Sequence, residues 1–405
     1  MRRALIAGGS LGGLFAANML HRAGWDVLVL ERVGSALSGR GAGIVTHPEL
    51  FDCLRQGGVT VDDSIGVAVP GRVTLAQDGS VAQASELPQI LTAWGRLYHL
   101  LKDALPAHCY RLGAALQMVE QDAAGVTVRL ADGGSERAEL LVAADGFRST
   151  VRAQFLPDCR LDYAGYVAWR GLTDEAALST ATHAALFERF AFCLPPSEQM
   201  LGYPVAGEQD EVAPGLRRFN YVWYRPADAD TTLRDMLTDT EGRCHADGIP
   251  PGLIRPDVRQ QMLLDASRVL APQFTEVVHK AKLPFFQPIF DLEVPHMAFG
   301  RVALLGDAAF VVRPHCGMGV TKAGADALAL VQALAREPDV AAALRGYEQQ
   351  RVAFGRFIVG HARHLGAYMQ AQQRTPEERE MAERYRSVAA VMRETAVAPA
   401  YPASA

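Results

Sequence analysis

Residues 8–13 read GGSLGG and stand between a short apolar run, Arg3–Ala7, and an amphipathic stretch, Leu14–Arg22. A second apolar run, DVLVLE, follows from Asp26 to Glu31. Strand, glycine turn, helix, strand is a βαβ unit, and it commits the start of the chain to an α/β fold. Gly8, Ser10 and Gly13 fill the three glycine positions of the G-x-G-x-x-G dinucleotide fingerprint. The first position makes the tight turn, the second lets a pyrophosphate approach backbone, and the third lets the helix pack on the strand. Ser10 is small enough to keep that approach and adds a hydroxyl. Phosphates at such a turn meet the free N–H groups of a helix N-terminus. Glu31 ends the second strand, where an acid binds a ribose hydroxyl pair. A tight turn in any α/β protein can carry these glycines. The terminal acid and the strand order are what favour a dinucleotide.

The rest of the chain alternates between recognisable patterns. Segments starting at Ala114 and Gly125 alternate apolar and polar residues and predict a hairpin. ELLVAADG, Glu139–Gly146, predicts another buried strand. From Val167 to about Arg225 the pattern is strand-like and aromatic, in YVAWRG, FAFCL, LGYPV and FNYVWYRP. Trp169, Tyr203 and Trp223 in this region are candidates for a pocket wall, although such aromatics are more often core. Pro256–Lys282 has helical spacing, and the chain ends in VAPAYPASA, which predicts a frayed tail.

Composition narrows the function. The 405 residues can bury a large core, and a net charge of −5 argues against nucleic acid as a partner. No run of about 20 apolar residues predicts a membrane span. The start has no long apolar stretch with a cleavage site, so no signal peptide is read there. Six scattered cysteines without a CxxC pair fit free thiols in a cytoplasmic protein, and no metal cluster is apparent.

Two further motifs decide between dinucleotides. A dehydrogenase would continue with alternating strands and helices, but residues 34–43 form a glycine-rich loop suited to an extended cofactor. Asp145-Gly146 follows a predicted strand and precedes Arg148, Ser149 and Arg152. Gly306-Asp307 closes another, and the loop RPHCGMGV, ending at Val320, leads into a small-residue helix.

In this order the three motifs resemble the single-component, FAD-dependent aromatic hydroxylases, the group of para-hydroxybenzoate and salicylate hydroxylase. GAGIVTHPEL, YAGYVAWRG and RPH draw the chain closest to its dihydroxypyridine-hydroxylating members. The resemblance implies an α/β fold: a Rossmann-like FAD-binding domain with an inserted mixed-sheet substrate domain and C-terminal helices. The expected division is residues 1–70, 95–165 and 280–360 for FAD, 71–94 and 166–279 for substrate, and 361–405 for the C-terminal segment.

The expected FAD contacts are Gly8, Ser10, Leu11, Gly13, Glu31, Arg32, Gly43, Ile44, Asp145, Asp307, Gly317, Gly319 and Val320. The helix starting at Gly317–Val320 would offer N–H groups to the negative charge of a reduced flavin. His47, His315 and Tyr203 are the catalytic candidates. Relatives carry arginines where this chain has Trp94 and Gly41, which puts phosphate contacts by Arg96 or Arg40 in doubt.

The implied activity is hydroxylation of a small electron-rich ring, dihydroxypyridine-like, using NAD(P)H and O₂. NADH is favoured, without a stable membrane association, and a homodimer is compatible. The alternatives are an epoxidase or tailoring monooxygenase on a larger natural product, and a flavin-binding regulator without turnover.

Overall fold

The computed structural model describes residues 2–37 and 43–401. Arg40 and Gly41 lie outside them.

The opening strand Arg3–Ala7 is central in a six-stranded sheet, parallel to Asp26–Leu30 on one side and Leu140–Ala143 on the other. Val302–Leu304 adds to Leu140–Ala143, again parallel. These strands are buried on both faces, as parallel strands between helices must be. Ala7 pairs with Leu30 and with Ala143, and Ala143 pairs with Leu304. The C-terminal ends of all four strands are therefore level. GGSLGG, Glu31, Asp145 and Asp307 emerge together at that edge, where open α/β sheets bind their ligands.

The helix after the glycine turn spans Leu11–Arg22 and is buried from Leu11 to Leu20 apart from Gly12. Its sequence reads as amphipathic. The difference comes from a second cover, since the small-residue helix Gly319–Arg336 also packs against it.

A mixed nine-stranded sheet forms the second layer, with Asp162–Asp174 and Arg218–Pro226 near its middle. Its strands pair antiparallel except Arg189–Cys193 with Val67–Leu75. Successive side chains take opposite faces. Trp169, Phe219, Tyr221 and Trp223 pack on one face with residues of helices Pro256–Val269 and Pro272–Lys280. Tyr166, Leu201, Tyr203, Val222 and Tyr224 take the other face. The two tryptophans are thus core on the far side, and Tyr203 is on the near side. The predicted hairpin is present, as Leu116–Gln121 with Val126–Leu130.

Three sequence expectations need correction. Pro256–Lys282 is two helices, interrupted at Leu270–Ala271 before Pro272. Gly43–Val45 is not irregular; it is a short strand on the edge of the nine-stranded sheet, paired with Leu91–Ala93. The C-terminus is not frayed through residue 401. After helix Val388–Glu394, Thr395 and Ala396 are buried, and the Arg72 guanidinium donates to the carbonyls of Met392 (2.9 Å) and Thr395 (2.6 Å). Tyr401 packs edge-on against Phe354 and Phe357.

Candidate active site

Two contiguous cavities run over the level strand ends. The first, ≈ 200 Å³, is lined by Gly8, Glu31, Arg32 and Asp145 among others. It shares Ser10, Trp94, Ala144 and Gly146 with the second, ≈ 360 Å³, which continues past Leu11, Asp307 and Gly317–Val320 to His315, Tyr203 and Arg170. One groove therefore joins the three motifs to the near face of the aromatic sheet.

Helix ends give the groove its polarity. Helix Leu11–Arg22 starts at Ser10 and helix Gly319–Arg336 at Met318, neither with a side-chain cap or an acid in the first turn. Helix Trp94–Asp103 also begins uncapped at the groove, at Trp94. Helices beginning at Thr150, Thr180, Val340, Pro376 and Val388 are each capped by their own Ser, Asp or Thr, while those beginning at Pro48, Pro256 and Pro272 lack a side-chain cap but start on a proline, which has no N–H to satisfy. The N–H groups facing the groove are left for an anion.

The acids divide into holders and presenters. Glu31 is buried, and its carboxylate accepts from Gly9 N (2.8 Å) and Val33 N (2.9 Å). It fixes the glycine turn and keeps lone pairs for a ribose. One Asp145 oxygen accepts from Thr150 N (2.8 Å), while the other is buried without a partner among the described residues. Burial pushes that carboxyl up, against the hydrogen bonds from Ser149 and the helix N-terminus. Arg152 ties this turn to the next motif by donating to Ala308 O (3.1 Å). Asp307 is exposed to the groove, yet protein crowds it elsewhere, and this desolvation raises its carboxyl.

Behind Asp307 lies a buried ionic clamp. Asp326 accepts from Gly306 N (3.0 Å), Lys322 Nζ (3.0 Å) and Arg351 Nε (2.6 Å), and Lys322 also donates to Gly306 O (2.9 Å).

At the ring end, His315 is buried, and its Nε2 lies 2.6 Å from the Tyr166 hydroxyl. Its Nδ1 has no partner among the described residues. Burial, then the charges of Arg313 and Arg170, hold this imidazole well below its ordinary value, so it is neutral. Tyr203 packs on Phe190 with ring centroids 4.9 Å apart, and burial raises its phenol. Gly43 donates to Asn220 Oδ1 (2.9 Å), and a side chain there would collide with the Tyr203 ring.

The expected residues do not all reach the groove. Gly13 packs helix on strand instead. His47 is buried beside the Gly317 turn and is absent from both cavity walls; burial lowers its imidazole. Arg96 is turned toward Ser64, 2.7 Å from its hydroxyl. Sequence reading missed Trp94, Thr395 and Ala396 as wall residues. No local motif marks them, because distant segments bring them there.

Glu31→Ala and Asp307→Asn should separate these roles. The first strands the buried N–H of Gly9, at about 1–3 kcal/mol, and the half-buried N–H of Val33, and should lower both the apoprotein melting temperature and FAD retention. The second relieves a crowded acid, so the apoprotein melts no lower while FAD is released more readily. Melting curves of the apoprotein and FAD titrations check both. Equal loss of stability in the two variants would contradict the assignment.

Comparison with known proteins agrees with this geometry. The profile of a family described as FAD binding domain matches residues 2–159 and 290–362, and one described as FAD binding domain-like matches 163–291. The chain is 30% identical over 375 residues to 2,6-dihydroxypyridine 3-monooxygenase of Paenarthrobacter nicotinovorans, covering 91% of each chain. It is 31% identical to an FAD-dependent urate hydroxylase of Klebsiella pneumoniae, covering 89% of this chain and 88% of that one. Among solved structures, 2,6-dihydroxypyridine-3-hydroxylase from Arthrobacter nicotinovorans superposes with a TM-score of 0.85 at 29% identity, over 93% of this chain and 95% of that one.

Proposed function

The chain belongs to the FAD binding domain family and is an FAD-dependent monooxygenase, and we propose that its substrate is a small, electron-rich hydroxylated ring, with a dihydroxypyridine as the leading case. One observation carries the reading. A groove with uncapped helix N-termini and the acids Glu31 and Asp307 opens at its far end into an aromatic-walled chamber.

These residues fit FAD. Glu31 would hold the adenosine ribose, Ser10–Gly12 the pyrophosphate, Asp307 the linking chain, and Gly317–Val320 the ring. When bound, FAD would supply the redox chemistry: acceptance of hydride from NAD(P)H, NADH being favoured, and activation of O₂ for transfer of one oxygen atom to the substrate. The protein's task is then to bind, orient and keep dry.

Phe190, Leu201, Tyr203, Val222 and Tyr224 form the wall against which the substrate ring would pack. Thr395 and Ala396 also wall the chamber, narrowing it in favour of a small ring over a large natural product. The neutral His315 accepts a hydrogen bond from a substrate hydroxyl at Nδ1 when its Nε2–H donates to Tyr166. That contact fixes which ring carbon faces the flavin, and a hydroxyl so held pushes electron density to the ortho and para carbons.

His315→Gln and Tyr203→Phe should therefore lower product formed per NADH by several-fold while flavin reduction slows much less. The remaining O₂ should be released as H₂O₂. Stopped-flow reduction together with product and peroxide assays measures the split; unchanged coupling in both variants would remove these residues from the chamber. The substrate proposal itself is tested by a panel of 2,6-dihydroxypyridine, urate, salicylate, para-hydroxybenzoate and a bulky polyketide phenol. Coupled turnover confined to the polyketide would overturn it.

A further inference from the structure

Arg170 lies on strand Asp162–Asp174, with Val222 directly opposite on the neighbouring strand. It lines the substrate chamber and also a second cavity of ≈ 800 Å³ on the other side of the Asp307–Pro314 segment. The other cations near it are committed. Arg148 pairs with Asp247 (3.4 Å), Arg313 with Asp291 (2.8 Å), and Lys282 with Asp174 (2.6 Å). Arg218 donates to the carbonyls of Ala206 and Gly207. Arg170 forms no ion pair among the described residues, and its Nε is buried without a hydrogen-bond partner.

A guanidinium cannot shed its charge; Arg170 is half-buried, its Nε is shielded from water without an acceptor, and the rest of it borders the two cavities. Asp307 and Glu208 line the cavities it borders, but no carboxylate among the described residues comes within ion-pair distance of it. Tyr203, Tyr224 and His315 on the chamber wall feel its charge, and all three are uncharged at neutral pH. The alternating pattern of the strands puts Arg170, Val222, Tyr224, Leu201, Tyr203 and Phe190 on one wall, so the single positive charge of that wall stands beside aromatic rings.

We propose that Arg170 is the substrate anchor, holding a planar oxyanion carried by the ring, so that the chamber selects rings that are already anionic. A ring oxyanion beside a ring nitrogen and a carboxylate share this chemistry, since both present an in-plane acceptor edge to the guanidinium fork. The anchor and His315 then divide the work: Arg170 stabilises the charge, and the neutral imidazole orients the ring. An anionic oxygen also donates more electron density to the ring than its protonated form, so selecting the anion selects the reactive species.

This inference rests on the ring-hydroxylase reading, and the test separates the two. Flavin absorbance and fluorescence of the holoenzyme are titrated with two matched pairs at mildly alkaline pH. 4-Nitrophenol, ionised there, is compared with the neutral 4-nitroaniline, and para-hydroxybenzoate with para-hydroxybenzamide. Wild type should bind at least one anion about tenfold to a hundredfold tighter than its neutral partner. Which pair shows the preference identifies the oxyanion or the carboxylate. Arg170→Gln should abolish the preference while FAD content stays the same. Arg170→Lys should keep part of it for the phenolate and lose more for the carboxylate, which needs the fork. An equal affinity for anion and neutral partner in wild type overturns the anchor even if no variant folds, as does an undiminished preference in folded Arg170→Gln. Rings that bind without charge preference leave the hydroxylase reading standing, whereas a holoenzyme that binds no ring removes both.

Discussion

Gly13→Val should yield a protein that neither retains FAD nor folds to normal stability. A Cβ at Gly13 would sit 1.9 Å from the carbonyl oxygen of Gly8, and that atom is backbone, so no side-chain rotation relieves the clash. Gly8 cannot move aside. It has φ +98°, a conformation L side chains rarely adopt, and Gly8 N is bonded to Leu30 O at 2.9 Å. The helix must therefore lift off the strand. Overpacking of this kind costs about 1–3 kcal/mol and sometimes more. The displaced helix would also carry its free N–H groups away from the groove. Gly346→Ala is the control. At that exposed helical glycine a Cβ would meet nothing within 4 Å, and the substitution should stabilise by up to about 1 kcal/mol. Denaturant midpoints and flavin content measure both, and FAD retained by Gly13→Val at wild-type stability would refute the packing argument.

Asp326→Ala should be at least as damaging, although the residue does not itself line the groove. It leaves Lys322 and Arg351 buried without their counterion, a loss of about 3–5 kcal/mol. It also frees Gly306 N, so the turn that presents Asp307 loses its back support. Burial pushes the Asp326 carboxyl up, but Lys322 and Arg351 outweigh it and hold the group below the ordinary value. An acid depressed on folding contributes stability that is fully present above its unfolded value, about 4, and is lost as pH falls through the folded one. The stability gap between wild type and Asp326→Ala should thus be widest at neutral pH and narrow in acid. A gap independent of pH would show that the clamp is not ionic.

The legible parts of this protein were those encoded locally. The glycine turn, Glu31, Asp145 and Asp307 could be read because each motif is contiguous and its strand is apolar. That they share one edge follows from strand register, which brings Ala7, Leu30, Ala143 and Leu304 level. The aromatic strands were legible as strands but not by face. Trp169 and Tyr203 look alike in sequence, and a one-residue difference in register sends them to opposite sides. The C-terminal residues misled for a related reason. VAPAYPASA carries no periodicity, and what docks the segment just before it is Arg72, 320 positions before Met392. That Arg170 lacks a partner while Arg313 is paired with Asp291 could be seen only in the fold.

The central claim is that this chain uses FAD to place one atom of molecular oxygen on a small hydroxylated ring. Turnover of 2,6-dihydroxypyridine by the holoenzyme with NADH under oxygen-18 gas tests it most directly. The account predicts a hydroxylated product carrying one labelled oxygen, formed in step with NADH consumed and absent from protein stripped of flavin. Product labelled from water instead, or NADH consumed on every ring of the panel with only H₂O₂ formed, would contradict it.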